Sequence, residues 1–464
     1  MRLISMKHLL ERFGARPSAR GLRGWLLAGA AVVASFPAVA QPVAAASSTT
    51  APPDESVLGT LVITGHKEEH VPKLAVLPSL SPDLEDVIVR GVVRRDFELS
   101  GMFDVIDDNK APPGLYGFDD PVDIPAWQKL GAEVIVKVAA QKQPSGKIQV
   151  FGLAYFVSTG KDPVYEKKLL VDEPEVRVTA HRLTDALLGA ITGRPGGFAS
   201  HFTFSGKWGK NRRIFTMDAD GHNLKGHTDP SDTAIAPAWG PNQELFYTVS
   251  TKYSPFRLMR FDGSFKPVNV PFKTSIYSVA FNKDHTKLAL AVAENAKSAI
   301  YVGNPDGSGM KKVSTTELAT HPAFSPSGKL AWIGGSPDNG SQRVYVDGKA
   351  VSPAGFTAAA PTFCDTEDGI RLVYAVAVGG NRQDLVMSNE RGGGISRLTQ
   401  NQGTNSYPAC STDGRLLAFF STRKNQPGLY MMSLKRWTTQ KVTNQYGESL
   451  RWEPLPPPRE AAQP

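Results

Sequence analysis

Nine histidines and two cysteines are the residues of this 464-residue chain best suited to hold a metal or act as nucleophiles, and neither set is spaced for it. No His-x-His or His-Glu-x-x-His pair occurs, so a zinc or copper site would have to be assembled from distant parts of the chain. His227, His285 and His321 therefore read as loop residues. There is no Gly-x-Ser-x-Gly elbow to expose a nucleophilic serine. Glu294, Asn304 and Asn405 are the kinds of oxygen ligand that a calcium ion would draw, but they are isolated in sequence. With no catalytic constellation, the chain reads as a binding protein without a metal or cofactor. Cys364 and Cys410 read most simply as two buried thiols, with a disulfide open to them in an oxidising compartment.

The elements that would have to position these residues repeat. Pro237-Ala-Trp239, Pro322-Ala-Phe324, Pro361-Thr-Phe363 and Pro408-Ala-Cys410 share one pattern, with weaker copies ending at Phe281 and Trp452. The anchors at 239, 281, 324, 363, 410 and 452 lie 39 to 47 residues apart. That period fits a four-stranded propeller blade of about 40–45 residues. Short apolar runs such as Leu288-Ala-Leu-Ala-Val292 and Val344-Tyr-Val346 stand between turn residues, as strands do. Asp220-Gly221, Asp262-Gly263, Asp306-Gly307, Asp347-Gly348 and Asp413-Gly414 read as hairpin turns rather than calcium ligands. Six anchors predict six blades over residues 196–453. Ring closure predicts that His201-Phe-Thr-Phe204 shares a blade with the segment 429–453.

Ahead of the repeats, Arg2, Lys7, Arg12, Arg16, Arg20 and Arg23 precede the apolar run Trp25–Ala34 and the small-x-small sequence Ala38-Val39-Ala40. This is an export signal over residues 1–40, too short to span a membrane, with cleavage after Ala40 or Ala46. The mature chain is thus expected in the periplasm. Residues 41–56, rich in Ala, Ser, Thr and Pro, are expected to be a disordered linker, and 454–464 a Pro-rich tail. The formal charge of +8 includes +5 from residues 1–40, leaving about +3. The remaining Lys and Arg are scattered and accompany no nucleic-acid-binding motif, which argues against such a partner.

Residues 57–195 predict a small α/β domain. Lys73–Leu77, 132–138, 149–157 and 167–171 read as strands; Asp86–Leu99 and Glu175–Ile191 carry apolar residues at helical spacing. The fold class is a multi-domain α+β protein, an N-terminal α/β domain followed by a six-bladed β-propeller.

Several motifs resemble the TolB family of the Tol-Pal system. Leu74-Ala-Val-Leu-Pro78 resembles the family's strand before its first helix. Phe97-Glu-Leu-Ser-Gly-Met-Phe103 is similar to its Asp-Leu-x-x-Ser-Gly-x-Phe signature, with Glu98 departing from it. Ala180-His181-x-x-x-Asp185 with Leu187-x-x-x-Ile191-Thr192-Gly193-x-x-Gly196-x-Phe198 resembles the domain-joining helix and its exit. Met217-Asp218-Ala219-Asp220-Gly221 and Phe324-Ser325-Pro326-Ser327-Gly328 are similar to the family's propeller unit. The resemblance spans roughly residues 57–453.

It implies a scaffold, not an enzyme, that supports outer-membrane integrity and envelope constriction at division. The lipoprotein Pal would bind over the channel mouth and TolA would take the mature N-terminal segment, with other envelope proteins as further partners. Counting back from the anchors, the matching Pal-facing positions are Ser275, Ser278 and Thr320, of which Thr320 retains the family residue type. Tyr277 and Tyr407 stand nearby and suit an interface core, where aromatics are enriched. The TolA-facing residues would be Leu58, Leu61, Val62 and Ile63, an extended segment able to add to a sheet edge. The competing class is a periplasmic propeller enzyme, a lactonase or metal-dependent hydrolase.

Overall fold

The computed structural model describes residues 55–58, 70–79, 83–114, 116–336 and 341–455. The export signal, Leu61, Val62, Ile63 and most of the tail lie outside the described residues. Among those described, no helix is long and apolar enough to cross a membrane.

The N-terminal domain is built on β1 (Lys73–Val76), whose residues Leu74, Ala75 and Val76 are buried. A strand buried on both faces needs layers on both sides. Helix α1 (Leu84–Ser100) follows and ends at Gly101, whose φ of 60° is the left-handed cap that Gly accepts without strain. Next come β2 (Asp104–Val105), the short α2 (Ile124–Lys129), β3 (Val134–Lys142), β4 (Ile148–Phe156), β5 (Tyr165–Val171) and α3 (Val176–Thr192). The sheet order is β2-β1-β3-β4-β5, parallel around β1 and antiparallel from β3 onward. Val89, Val93 and Phe97 of α1 and Ala180, Leu183 and Leu187 of α3 pack on one face with Val134 and Val136. Trp127 of α2 covers Ile135 and Phe151 on the other.

The repeats form six four-stranded antiparallel blades. Their innermost strands are Thr233–Trp239, Ile276–Phe281, Leu318–Phe324, Ala358–Thr366, Asn405–Cys410 and Gly447–Trp452. These touch in cyclic order, the last against the first, so the ring is closed. Closure follows the expected scheme: Gly447–Trp452 pairs with His201–Trp208, placing Trp452 opposite Phe202 and Arg451 opposite Thr203. The sixth blade is therefore made from both ends of the propeller segment. The Asp-Gly turns take the left-handed backbone that their glycines permit, with φ of 90° at Gly221, 98° at Gly263 and 90° at Gly307. Gly414 has a second reason to be Gly, because a Cβ there would overlap the carbonyl of Asp365 in the neighbouring blade.

Two expectations change. Cys364 and Cys410 are not free thiols but a disulfide joining the innermost strands of the fourth and fifth blades, Cα atoms 5.4 Å apart. Equivalent positions on adjacent blades bring the Cα atoms within bridging range. The linker expected to be disordered through residue 56 gives way earlier, since Glu55–Leu58 forms a single 3-10 turn.

One apolar core runs from α1 and α3 into the fifth and sixth blades, through Phe198, Phe202, Phe420, Leu429 and Trp452. Polar contacts reinforce it. Arg95 donates to the carbonyls of Lys441 and Val442, and Arg436 donates to that of Gly101. Buried Asp185 accepts from the backbone N–H groups of Phe198 and Ala199, satisfying the chain where it leaves α3. Burial pushes that carboxyl up to about 7.

Candidate partner-binding face

Each innermost strand is interrupted by a β-bulge at the same place. The pairing register shifts around Ala236-Pro237, Tyr277, His321-Pro322, Ala360-Pro361, Tyr407-Pro408 and Ser449-Leu450. Proline has no N–H to give a ladder, so within a sheet it belongs at a bulge, which explains the recurrent proline of the anchors. The residue before it bears the cost, as does Ser449 before Leu450 in the sixth blade. Ala236, His321, Ala360, Tyr407 and Ser449 have φ of 53°, 51°, 46°, 51° and 54°. A non-glycine residue held there costs of order 1–3 kcal/mol, and such strain collects where a fold re-aims side chains for function.

The bulges lie within the innermost strands, which meet one another around the centre of the propeller. In the fifth blade the C-terminal end of that strand is covered, since the turn after Cys410 meets the N-terminal domain where Arg194 donates to the carbonyl of Asp413 at 2.9 Å.

All five residues expected at the rim fall on or beside this ring. Tyr277 is the bulged residue of the second blade and is 40% exposed. Ser275 immediately precedes that strand, its hydroxyl accepting from the N–H of Phe256. Thr320 sits beside the third bulge, its hydroxyl 3.1 Å from Nδ1 of His321. Tyr407 is the bulged residue of the fifth blade, and burial pushes its phenol up to about 12, with Glu448 adding to the shift. Ser278 differs: it is buried in the strand, so its side chain supports the rim rather than lining it.

Two residues of the ring were not anticipated from sequence. His321 is not a loop residue but part of the innermost strand of the third blade, where burial holds its imidazole neutral, down to about 4, and nearby Arg451 adds to the shift. Arg451, in the sixth blade, is itself lowered to about 10 by burial. The legible signal was the residue preceding each anchor proline, which the bulge re-aims. The calcium candidates do not converge, since Glu294 binds Lys312 and Tyr301 at one end of its hairpin while Asn304 caps the turn at the other.

Leu58 lies elsewhere than expected. It is fully buried, not in the N-terminal domain but between the third and fourth blades, among Ile333, Val344, Tyr374 and Val376. Glu55 anchors the same turn, its carboxylate 2.8 Å from Arg397, which also binds buried Asp384, and 3.8 Å from Arg382. Arg397 holds the Glu55 carboxyl below its ordinary range.

Residues 59–156 match the TolB amino-terminal domain family. A Tol-Pal system protein TolB from Anaeromyxobacter dehalogenans is 28% identical over 233 residues, covering 48% of this chain and 52% of that protein. Another from Syntrophotalea carbinolica is 30% identical over 177 residues, covering 36% of this chain and 38% of its own. The chain thus spans about half the length of the first relative and less of the second. The crystal structure of TolB from Acinetobacter baumannii superposes with a TM-score of 0.69 at 20% identity, covering 83% of this chain and 98% of that one, which shows a common fold. Residues 59–156 thus carry a TolB amino-terminal domain, in a chain that is similar to Tol-Pal system proteins TolB over about half its length and shares the fold of that crystal structure.

Proposed function

We propose that this protein is a periplasmic, non-enzymatic scaffold of the Tol-Pal system. It binds the lipoprotein Pal over the rim of bulges at the channel mouth and offers its mature N-terminal segment to TolA. The observation that carries the reading is the ring itself: six register-shifted positions on the innermost strands, five of them with left-handed backbone. A partner docking there meets Tyr277, Thr320 and Tyr407, aromatic and neutral side chains of the kind that dominate interface cores. The relatives that carry the name Tol-Pal system protein support membership in that system. Its role in outer-membrane integrity and constriction at division follows from that membership.

Titration of the purified chain with the periplasmic domain of Pal tests the proposal. Saturable binding that is weakened by substitutions at Thr320 or Tyr277 supports it, and no binding overturns it. A lactonase and esterase screen tests the competing enzymatic class.

A further inference from the structure

Two neighbouring hairpin tips carry exposed aromatic rings among cations. In the sixth blade the turn between His201–Trp208 and Asn211–Asp218 presents Trp208, 50% exposed, with Lys207 and Lys210 on the surface beside it. In the first blade the turn after Leu245–Ser250 presents Lys252 and Tyr253, and the 105% relative exposure of Tyr253 puts its whole side chain in solvent.

The tips lie side by side. Arg212 pairs with Thr233 and Thr233 with Ser250, so two strand spacings, about 10 Å, separate the two turns. On the far side Arg257 donates to the carbonyl of Phe272 at 3.0 Å, and the N–H of Phe256 donates to the hydroxyl of Ser275, which brings exposed Lys273 to the same edge.

Both rings are held where they are. The guanidinium of Arg213 lies 5.1 Å from the ring centroid of Trp208, and the ring of Phe215 lies 6.3 Å away. Lys252 and Tyr253 take left-handed backbone, φ 47° and 65°, in a turn tied by the Ser250 hydroxyl donating to the carbonyl of Ser254 and the N–H of Thr251 donating to the Ser254 hydroxyl. Two consecutive non-glycine residues in that region are strained, and the strained turn projects a ring that its own chain does not cover.

The charge is one-sided. Segments 206–213, 227–233, 250–257, 270–277 and 446–449 hold seven Lys and Arg against the three carboxylates of Asp229, Asp232 and Glu448, a net +4 that exceeds the +3 of the whole chain after residue 40. Glu448 is spent on Arg212 at 2.9 Å. Among the described residues, Lys207, Lys210, Lys252, Arg257 and Lys273 form no ion pair. Aromatic rings with a polar tip beside lysines suit the boundary of a bilayer, where the ring enters the headgroup layer and the ammonium pairs with phosphate. A fully projecting side chain needs a matching pocket in a folded partner and none in a fluid bilayer, which favours a membrane over an acidic protein.

We propose that Trp208 and Tyr253, with Lys207, Lys210, Lys252 and Lys273, dock this protein onto an anionic phospholipid surface. None of these residues is among those assigned to Pal, so lipid binding and Pal binding fail independently.

The test is cosedimentation of the mature chain, free of the basic and apolar residues 1–40 that would themselves bind lipid, with phosphatidylcholine vesicles that contain or lack phosphatidylglycerol. Saturable binding is expected only with the anionic lipid and should weaken as salt rises. Tyr253→Gly, which suits the left-handed turn and removes the ring, should weaken binding at least fivefold. Lys210→Glu with Lys252→Glu should weaken it at least tenfold, while Lys311→Glu with Lys349→Glu, the same charge change on the outermost strands of the second and third blades, should leave it within twofold. Absence of binding to the anionic vesicles overturns the proposal, as does binding that Tyr253→Gly leaves unchanged or that the two lysine pairs weaken equally. Retention of polyglutamate by a chain that ignores the vesicles also overturns it and assigns the surface to an acidic protein.

Discussion

Trp452 lies against Phe202, ring centroids 4.6 Å apart, and its indole N–H donates to the hydroxyl of Ser200 at 2.8 Å. The two rings join the last strand of the propeller to the first, so the contact that closes the ring also seals the core shared with the N-terminal domain. Trp452→Ala should lower stability by about 3–5 kcal/mol through the cavity and the lost hydrogen bond to Ser200. Denaturant unfolding measures this, and a loss below about 1 kcal/mol would show that the closure does not depend on the aromatic pair.

The Cys364–Cys410 disulfide ties adjacent blades across 46 residues of sequence. Cross-linking a loop of that length restricts the unfolded chain, and its removal should cost about 2–4 kcal/mol. Cys364→Ala with Cys410→Ala, compared with the oxidised protein by thermal unfolding, checks the magnitude. Alkylation of the native protein without reductant should leave both cysteines unmodified.

Thr320→Arg should reduce affinity for Pal at least tenfold while leaving the far-UV spectrum and unfolding midpoint unchanged. The added cation would stand beside His321 in a part of the rim where burial already disfavours charge. Equal affinities in a calorimetric titration would move the partner off this face.

The turn holding Glu55 and Leu58 should be releasable by a single charge reversal. Glu55→Arg sets a third guanidinium against Arg397 and Arg382, so hydrogen-exchange protection at residues 55–58 should fall while global stability changes by less than about 1 kcal/mol. If this segment is what TolA takes, the variant should also bind TolA more tightly, because the docked turn no longer competes. Unaltered TolA affinity would separate the docked turn from the TolA-binding element.

His227 gives a pH dependence. Burial, with Lys225 and Arg213 nearby, lowers its imidazole to about 4 from 6.5, and its Nε2 lies 2.7 Å from the hydroxyl of Thr216. The unfolded chain binds this proton more readily than the folded one. The stabilisation is therefore complete above about pH 6.5 and is lost as pH falls toward 4, by about 2 kcal/mol after allowing for partial exposure. Comparing His227→Gln with the parent at pH 7 and pH 4.5 isolates it, and identical pH slopes would contradict the assignment.

The sequence by itself determined the repeats, because blade turns and strands are local chemistry. The Asp-Gly pairs need left-handed glycine, and the anchor prolines need a place in the ladder that requires no N–H. The helices over 84–100 and 176–192 and the sharing of one blade by both chain ends were legible for the same reason: periodicity and ring closure follow from rules that act along the chain. What only the tertiary structure decided depends on groups far apart in sequence. Cys364 meets Cys410 because neighbouring blades hold equivalent positions within bridging distance. Leu58 goes to the propeller because the gap between the third and fourth blades offers an apolar socket and Arg397 offers Glu55 a buried partner. Arg95 finds the carbonyls of Lys441 and Val442, which no spacing within one domain could supply, since burial and electrostatics are properties of what packs around a side chain and not of its neighbours along the chain.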